Sequence, residues 1–490
     1  MVNREAKRLQ RSGQGPVVLV LALAGLCSSV MFTLVVPIQA RLPELLNASR
    51  DDTAWVVTAT LLTATITTPI SGRLGDMYGK RRIVLLLLAV LTIGSVVAAL
   101  SPDVVGLICG RALQGAVVGV IPLGISILRD VLDPRRVASA IALVSATLGV
   151  GGALGLPFSA YIVQYTDWHW LFWASGGLGA LVFLLVLWVV PASTLRTGGR
   201  FDWIGAIGLA AGLTGLLLAV TRGSSWGWTS PLTLGLAVGG VVVLLAWGRF
   251  ELSAAHPLLD LRVAARRPVL LTNLVSIGVG FAYFTSNVTF PQILEMPSST
   301  EIGYGLTPLQ AGLVVMPSGL VMMALSPVSG RLARTVGPKA LLIAGVACLV
   351  LAYGFTLLVA EEVWHLVVTN ILIGAGIGFG YAAMPLLIMQ SVSPEETGAS
   401  NGMNALARSL GSSVSAAIIG LVLAGDTTDV GGVSTPTSGA FQTSYLWGLV
   451  VAVCALVIGV FIPRKTPGAR GIPQRREAVT SDARPQQPEL

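Results

Sequence analysis

The alternation of apolar and polar residues divides most of the chain into long hydrophobic segments separated by short polar connections. A stretch of about 20 apolar residues is long enough for a helix to cross a lipid bilayer. By this criterion the sequence predicts an all-α integral membrane protein. We expect transmembrane helices at residues 17–40, 53–71, 83–100, 104–128, 137–163, 171–190, 203–221, 231–248, 268–291, 308–328, 338–359, 364–390, 397–424 and 442–462, fourteen in all.

The composition agrees with this pattern and excludes an ordinary soluble enzyme. Of the 490 residues, 54% are hydrophobic and 11% are charged, whereas soluble domains carry about 25% charged residues. The net charge of +8 would suit a nucleic-acid partner. The basic residues cluster beside the apolar segments, however, so we expect no nucleic acid. The four cysteines all lie in apolar segments, and we infer neither a disulfide nor a metal site.

The N-terminal segment imitates a secretory signal peptide, because four basic residues precede the first apolar run. That run is too long for a signal peptide, and no small-residue cleavage site follows it. Cys27 lies in a sequence like a lipoprotein box, but Leu26 occupies the position where a small residue is expected. We therefore expect an uncleaved first membrane helix.

The distribution of positive charge predicts the orientation in the membrane. If the N-terminus is cytoplasmic, 26 of the 31 lysines and arginines lie in cytoplasmic connections or tails. Arg41, Arg50 and Arg222 fall on the opposite side, and Arg111 and Arg408 lie within predicted helices. Because cytoplasmic loops carry the excess of positive charge, we expect a multi-pass protein of the cell (inner) membrane with both termini cytoplasmic.

The predicted helices group as six, two and six. The pair at 203–221 and 231–248 has no counterpart elsewhere in the chain, and an even insertion leaves the two six-helix halves in the same orientation, as parallel repeats require. We expect a cytoplasmic tail, an N-terminal bundle, an inserted pair, a C-terminal bundle and a polar, disordered tail. Their boundaries are 1–16, 17–195, 196–250, 251–463 and 464–490.

A short basic segment between the second and third predicted helices combines glycines, one acid and several bases. Its members are Gly72, Arg73, Gly75, Asp76, Gly79, Lys80, Arg81 and Arg82. The spacing Gly-x-Leu-x-Asp-x-x-Gly-x-Arg-Arg resembles the signature loop of the major facilitator superfamily, which implies a conformational role. The alternative is that these bases only fix orientation. The segment 330–339 repeats the pattern, with Arg334 in the place of Asp76.

The fourth predicted helix carries an arginine where a charge is costly. Placing arginine at the centre of a membrane helix costs about 2.5–3.5 kcal/mol, so such a residue normally faces a cavity or a partner. The segment around Arg111 and Gln114 resembles the superfamily motif whose arginine is linked to proton transfer. The alternative is an arginine that reaches the outer surface. We also expect Asp130 to form a salt-bridge lock with the arginines of the basic loop, unless Arg129 and Asp130 only end the helix.

The fifth predicted helix contains Gly151, Gly155 and Pro157. Small residues permit close helix contact, and proline bends a helix. The segment resembles the antiporter motif of superfamily exporters. The sequence 167–173 and three later segments resemble the fourteen-helix drug–proton antiporters, particularly actinobacterial antibiotic exporters, and this resemblance runs over residues 17–463.

One position departs from that family. Its members commonly carry an aspartate in the first helix, where this chain has Ser28, and no predicted helix has a carboxylate near its middle. Because proton coupling needs a group that changes charge, the usual carrier is missing. The remaining candidates are Asp76, Asp130, Glu295 and Glu301.

Polar and aromatic residues inside otherwise apolar helices are the candidates for substrate contact, although each is individually more typical of helix packing. A cavity with aromatic and methionine walls and few charges would suit a bulky amphiphile. The candidates are Tyr161, Gln164, Tyr283, Phe284, Asn287, Tyr381, Met384, Gln390, Asn404 and Arg408.

These features predict a transporter and not an enzyme. The sequence 398–402 matches the Gly-x-Ser-x-Gly of serine hydrolases, but no strand precedes it. No phosphate-binding loop occurs, so we expect no ATP hydrolysis and a gradient as the energy source. We expect no cofactor, and the resemblance implies that the gradient is one of protons. The resemblance implies efflux of drugs or antibiotics by alternating access, with an amphiphilic small molecule, protons and membrane lipid as partners and a monomeric state. Two alternatives stay open, namely a lipid translocase and a non-transporting sensor or assembly protein.

Overall fold

The computed structural model describes residues 14–39, 41–192, 200–255, 257–300, 302–359, 362–430 and 433–463. Thirteen of its helices are long and apolar enough to cross a membrane, and a bent pair of helices supplies a fourteenth span. The predicted all-α membrane fold with fourteen spans is therefore confirmed. Residues 1–13 of the predicted tail 1–16, the predicted tail 464–490 and the coupling candidate Glu301 lie outside the described residues.

The spans are numbered α1 to α14 in chain order. They are α1 (Gly15–Thr33), α2 (Arg50–Tyr78), α3 (Lys80–Ala99), α4 (Val104–Val131), α5 (Pro134–Tyr165), α6 (Trp170–Val189), α7 (Trp203–Trp226), α8 (Pro231–Glu251), α9 (Arg267–Glu295), α10 (Pro308–Val315, Pro317–Ala324 and Ser326–Thr335), α11 (Pro338–Val359), α12 (Val363–Met389), α13 (Thr397–Gly425) and α14 (Ser438–Val460). We call the end of the bundle that holds Gly79 and Gly337 the basic face, and the end that holds Ser49 and Asp103 the acidic face.

Polar residues just outside the apolar runs begin several spans. The side chains of Ser49, Asp103, Asp202, Ser230 and Thr437 each accept a hydrogen bond from a backbone N–H in the first turn of the helix that follows. The first four N–H groups of a helix have no partner within the helix, so such a cap stabilises the helix start. These caps explain why the spans begin where the hydrophobic pattern begins.

The predicted extent of the basic loop, residues 72–82, is wrong, because most of these residues are helical. Helix α2 continues to Tyr78, and α3 begins at Lys80, so that Gly79 is the only residue between them. Gly79 has a φ of +108°, a backbone conformation that glycine adopts without a steric penalty. The side chains of Asp76 and Lys80 are thereby fixed on helices and do not belong to a flexible connection.

Two further features differ from the prediction. Span α10 extends to Thr335 and bends by 44° between its second and third pieces. Between α13 and α14 the chain forms an antiparallel hairpin of β1 (Thr427–Val430) and β2 (Val433–Pro436) on the acidic face. The polar residues of this hairpin separate two apolar runs without breaking either of them.

The apolar interior is organised around two main clusters. One is built chiefly from α1, α3, α4, α5 and α6, with Leu88, Val117 and Ile141 among its buried members. The other is built chiefly from α9 to α14, with Phe290 and Tyr353 at its centre. Each group of helices therefore buries its own apolar faces, and alanines of α5 join the second cluster where the two groups meet.

The additional pair α7 and α8 packs on the outside of this assembly. Helix α7 places Leu209, Leu213 and Leu217 against Leu62 of α2 and Leu406 of α13. It therefore covers the line along which α2 and α13 meet. Helix α8 packs on α7, where Gly240 of α8 comes close to the α7 backbone. Most of the remaining surface of α8 is exposed.

Candidate functional site

Four of the predicted cavity residues converge near the middle of three helices. Tyr283 lies on α9, Tyr381 on α12, and Asn404 and Arg408 one turn apart on α13. The Arg408 guanidinium carbon lies 4.9 Å from the centroid of the Tyr381 ring, within the range of a cation–π interaction. The Tyr381 and Tyr283 rings meet edge to face at 6.5 Å. We call this group the central cluster.

A polar network positions the arginine of the central cluster. Arg408 donates to Asn404 Oδ1. The Asn404 amide nitrogen in turn donates to Asn273 Oδ1 at 3.0 Å and to Ser276 Oγ at 2.6 Å. Ser276 and Asn404 are buried, while Arg408 is partly exposed. Asn404 is therefore held from one side and presents its oxygen to Arg408. Asn273 and Ser276 were not predicted, although both carry the same signal as the predicted residues, a polar side chain on an apolar helix.

The central cluster faces the other half of the molecule. A Cβ added at Gly152 of α5 would lie 3.6 Å from the Tyr283 hydroxyl. Asn287 lies one turn beyond Tyr283, is exposed, and donates to the Tyr283 carbonyl oxygen at 2.8 Å. Beside the cluster, Thr65 of α2 and Ser409 of α13 form a hydrogen bond of 2.9 Å across the two halves. The cluster therefore lies at the interface between the two halves.

Tyr161 does not join the cluster, and its predicted place in the cavity is wrong. It follows Gly152 by nine residues, which is two and a half helical turns, so it lies on the opposite side of α5. Its side chain is 64% exposed and packs against Tyr165. Gln164 is exposed in the last turn of α5, and Gln390 ends α12 at the basic face. Neither position is near the middle of the bundle, so these two predictions are wrong as well.

Arg111 points into the interior of the first half and is not drawn to the outer surface. It is 1% exposed and donates to Gln114 Oε1 at 2.8 Å and to the carbonyl oxygen of Met31 at 3.0 Å. The Gln114 amide nitrogen donates to Ser95 at 2.8 Å. Among the described residues, no carboxylate lies within 4 Å of Arg111. Its charge is therefore balanced by dipoles from α1 and α4. The Ser28 hydroxyl, on α1, is buried and has no hydrogen-bond partner among the described residues.

Asp76 joins the two halves at the basic face. Its carboxylate accepts hydrogen bonds from the backbone N–H groups of Gly398 at 3.1 Å and Ala399 at 2.8 Å, in the first turn of α13. Those N–H groups have no partner within their helix, and the positive end of the helix dipole favours a carboxylate there. Gly72 permits this contact, because an added Cβ would lie 2.6 Å from the Gly398 carbonyl oxygen.

The predicted salt-bridge lock between Asp130 and the arginines of the basic loop is wrong, because the basic partner is a lysine. The partner of Asp130 is Lys80, whose buried Nζ lies 2.8 Å from the Asp130 carboxylate and 3.8 Å from that of Asp76. Arg81 instead donates to the carbonyl oxygen of Leu187, and Arg82 is exposed. A single lysine therefore bridges two acids at the junction of α2, α3 and α4.

Arg129 makes the second contact between the halves at the basic face. It therefore does more than end a helix. Its guanidinium donates to the carbonyl oxygens of Met389 at 3.0 Å and Val392 at 3.3 Å, and also to the Thr397 hydroxyl. On the other side of the molecule, Arg334 donates to the carbonyl oxygen of Arg135 at 2.8 Å. Both lines of contact between the halves are therefore closed at the basic face.

The glycines of the fifth span serve helix packing. Added Cβ atoms at Gly151 and Gly155 would overlap Ser29 and Thr33 of α1, and one at Gly319 of α10 would overlap α5. Pro157 lies inside α5, beyond these contacts. Small residues thus allow α5 to fit between α1 and α10. This geometry accounts for the small residues of the predicted antiporter motif without assigning a direction of transport.

Comparison with known proteins places this architecture in a family. The family model described as "Major Facilitator Superfamily" matches residues 21–416 and 275–487. Multidrug resistance protein 3 of Bacillus subtilis is 27% identical over 416 residues, which cover 83% of this chain and 79% of the relative. The multidrug resistance protein B homolog of Mycobacterium tuberculosis is 25% identical, over 82% of this chain and 75% of the relative.

A solved structure supports the fold. The proton:xylose symporter XylE, described as a major facilitator superfamily protein, superimposes with a TM-score of 0.64 at 13% identity and covers 91% of this chain and 95% of its own. At that identity the likeness concerns the fold alone. The family match extends over well more than half of the sequence and includes the Asp76 contact, the buried Arg111 and all fourteen membrane spans except the start of α1. The chain belongs to the Major Facilitator Superfamily.

Proposed function

We propose that this protein exports amphiphilic drugs or antibiotics in exchange for protons, by alternating access of a central site. The observation that carries this proposal is the central cluster, in which Arg408, Tyr381 and Tyr283 face the first half of the molecule. The curated relatives named multidrug resistance proteins support export of drugs. The chain acts as a monomer and needs no cofactor.

The positive charges support an orientation with the basic face in the cytoplasm. In that orientation Asp76 and Arg129 close the cytoplasmic side, as expected for a state that is open outwards. Rocking of the halves then breaks these contacts and exposes the central cluster to the cytoplasm.

Protonation supplies a way to break the contacts. A neutral Asp76 accepts more weakly from the N–H groups of α13, and a neutral Asp130 no longer attracts Lys80. Proton binding at Asp76 therefore favours separation of the halves at the basic face, whereas proton binding at Asp130 releases Lys80 within the first half. Arg111 and Gln114 connect α4, whose last turn holds Asp130, with α1 and α3.

The charge of the central cluster narrows the substrate class. Arg408 carries a positive charge, and among the described residues no carboxylate lies within 4 Å of it. A guanidinium has five N–H donors. In the described network Arg408 uses one of them to donate to Asn404. Neutral or anionic amphiphiles with hydrogen-bond acceptors therefore fit the cluster better than cations do.

The test measures proton movement in proteoliposomes with an imposed pH gradient. Anionic, neutral and cationic amphiphiles and a fluorescent lipid are added separately. We expect an anionic or neutral amphiphile to collapse the gradient in the wild type but not in Arg111→Ala or Arg408→Ala. Arg331→Ala, at an exposed arginine of the basic face, is the matched control and should behave as the wild type.

Other outcomes assign other functions. If no compound moves protons while the fluorescent lipid still crosses the bilayer, the protein is a lipid translocase and the antiport proposal fails. If neither protons nor any compound moves, the non-transporting alternative replaces both.

A further inference from the structure

Two carboxylates meet at the basic-face end of the additional helix pair. Asp202 caps the start of α7, where its Oδ1 accepts the Gly205 N–H at 2.7 Å. Glu251 ends α8, and its Oε1 accepts the Leu259 N–H at 2.6 Å. Because α7 and α8 run in opposite directions, the start of one lies beside the end of the other. Each carboxylate thus has one oxygen engaged with the backbone and one oxygen free for another contact.

The two remaining oxygens come together in a buried site beside Gly205. Asp202 Oδ2 and Glu251 Oε2 are both buried, and neither has a donor partner among the described residues. A Cβ added at Gly205 would overlap both of them. Two oxygens that would both overlap the same added carbon atom are close neighbours. Two ionised carboxylates this close repel each other in a buried site, whereas a proton on one of them removes the repulsion and allows that carboxyl group to donate a hydrogen bond to the other.

The surrounding charges do not supply a counter-ion. Within the described part of the chain, no basic nitrogen lies within 4 Å of either carboxylate. The charged groups of the neighbouring segments are Arg200, which is exposed; Arg249, which donates to Ser253; Arg262, which donates to the carbonyl oxygen of Leu252; and Asp260, which caps the turn Leu261–Ala264. From the elements packed against them, Arg73 and Glu396 line the cavity beside the segment 257–264. His256 lies outside the described residues. A proton therefore remains as the means of compensating two adjacent acids.

The pair holds a segment that contacts both halves. Leu258 and Leu259 are buried and pack in one cluster with Leu213 of α7 and Leu406 of α13. Together with Arg73 of α2, the same segment lines a cavity of about 230 Å³ at the basic face. The hydrogen bond from Leu259 to Glu251 is the link between the carboxyl pair and this contact.

We propose that Asp202 and Glu251 form a proton-binding site that fastens the segment 257–264 to α7 and α13. With one shared proton the pair is compact and Leu258 and Leu259 stay docked. Loss of that proton places two negative charges side by side, separates the carboxylates and releases the segment. The site binds its proton at the basic face, apart from the central cluster, and does not depend on which compound is transported.

Hydrogen exchange of the full chain in lipid nanodiscs tests this site without a transport measurement. Protection of the backbone amides of 257–264 is compared at pH 6, 7, 8 and 9, with wild type and variant always at the same pH. In the wild type we expect protection to fall about tenfold for each pH unit once the shared proton is lost, as release of one proton requires. Glu251→Gln keeps an acceptor for Leu259 and gains a donor for Asp202, so its protection should not change with pH.

Three variants make the result specific. Glu44→Gln removes an exposed carboxylate on the acidic face and should leave the wild-type profile unchanged. His256→Gln should also retain the pH dependence. Asp202→Asn provides the second test of the pair if Glu251→Gln does not fold. The proposal is overturned if wild-type protection is equal at pH 6 and pH 9, or if His256→Gln abolishes the pH dependence.

Discussion

Replacing Asp76 by asparagine should open the basic face. The aspartate carboxylate accepts two backbone hydrogen bonds from the first turn of α13 and lies 3.8 Å from the Lys80 ammonium. Asparagine has one acceptor oxygen, so it retains one of these hydrogen bonds at most and loses the ionic attraction. The side chain is nearly the same size, and packing around Gly398 is preserved. The substitution therefore removes attraction between the halves without creating a cavity.

The size of the effect follows from the lost contacts. A hydrogen bond to a charged group contributes about 1.5–3 kcal/mol, and the substitution costs at least one such bond. Since about 1.4 kcal/mol is a tenfold change in an equilibrium constant, the ratio of closed to open basic face should fall roughly 10- to 150-fold.

Distances between spin labels at Arg82 of α3 and Arg331 of α10 report this equilibrium, because both residues are exposed at the basic face and belong to different halves. The exposed Cys109 and Cys454 are first replaced by serine. We expect one short distance in the parent protein and a large population of a longer distance in Asp76→Asn. Both measurements are made in nanodiscs at the same pH.

Asp133→Asn is the matched control. Asp133 is also a carboxylate at the basic face, but it accepts from the Arg135 N–H within its own half, and asparagine is an equally good helix cap. It should keep the short distance. If Asp76→Asn also keeps the short distance, or if Asp133→Asn lengthens it to the same extent, the carboxylate of Asp76 does not hold the halves together and the reasoning fails.

Three other substitutions test the remaining contacts. Gly72→Ala places a methyl group 2.6 Å from the Gly398 carbonyl oxygen and should lengthen the same label distance, whereas Gly177→Ala, which has open space around it, should not. Arg408→Ala should weaken binding of an anionic fluorescent substrate by about 10- to 100-fold, as expected for a lost charge-assisted hydrogen bond, and Arg408→Lys should recover part of it in the same fluorescence titration. Arg222→Gln removes cation–π contacts with Trp55 and Trp226 worth about 1–2 kcal/mol, so amide exchange at the end of α7 should accelerate; equal exchange in wild type and variant would contradict this.

The sequence predicts the spans well because the physical rule behind them is local. Each apolar run is as long as a bilayer is thick, and a polar cap such as Ser49 or Asp202 marks where a helix begins. Burial of Arg111 could also be anticipated from the cost of an isolated charge. The central cluster was partly predictable, because Tyr381, Asn404 and Arg408 are polar residues on apolar helices.

The sequence does not reveal how each helix is rotated about its own axis, or which residues meet across the interface between the halves. Asp76 and Ala399 are 323 residues apart, and no local pattern records that they meet. Tyr161 is an aromatic residue on an apolar helix, as a cavity residue would be, yet it lies on the side of α5 opposite Gly152. Asp202 and Glu251 stand at the ends of separate helices, where acids are ordinary. Their proximity becomes visible only when the antiparallel α7 and α8 are packed together.

The position of α7 has a mechanical consequence for any rocking motion. On the acidic face, Arg222 fastens α7 to α2 through the carbonyl oxygen of Asp51 and the Trp55 ring. Against α13, by contrast, α7 presents leucines, and apolar surfaces can slide past each other without breaking directional bonds. If the halves rock as proposed, α7 moves with the first half and its leucines slide across α13, so that α7 continues to cover the contact between α2 and α13.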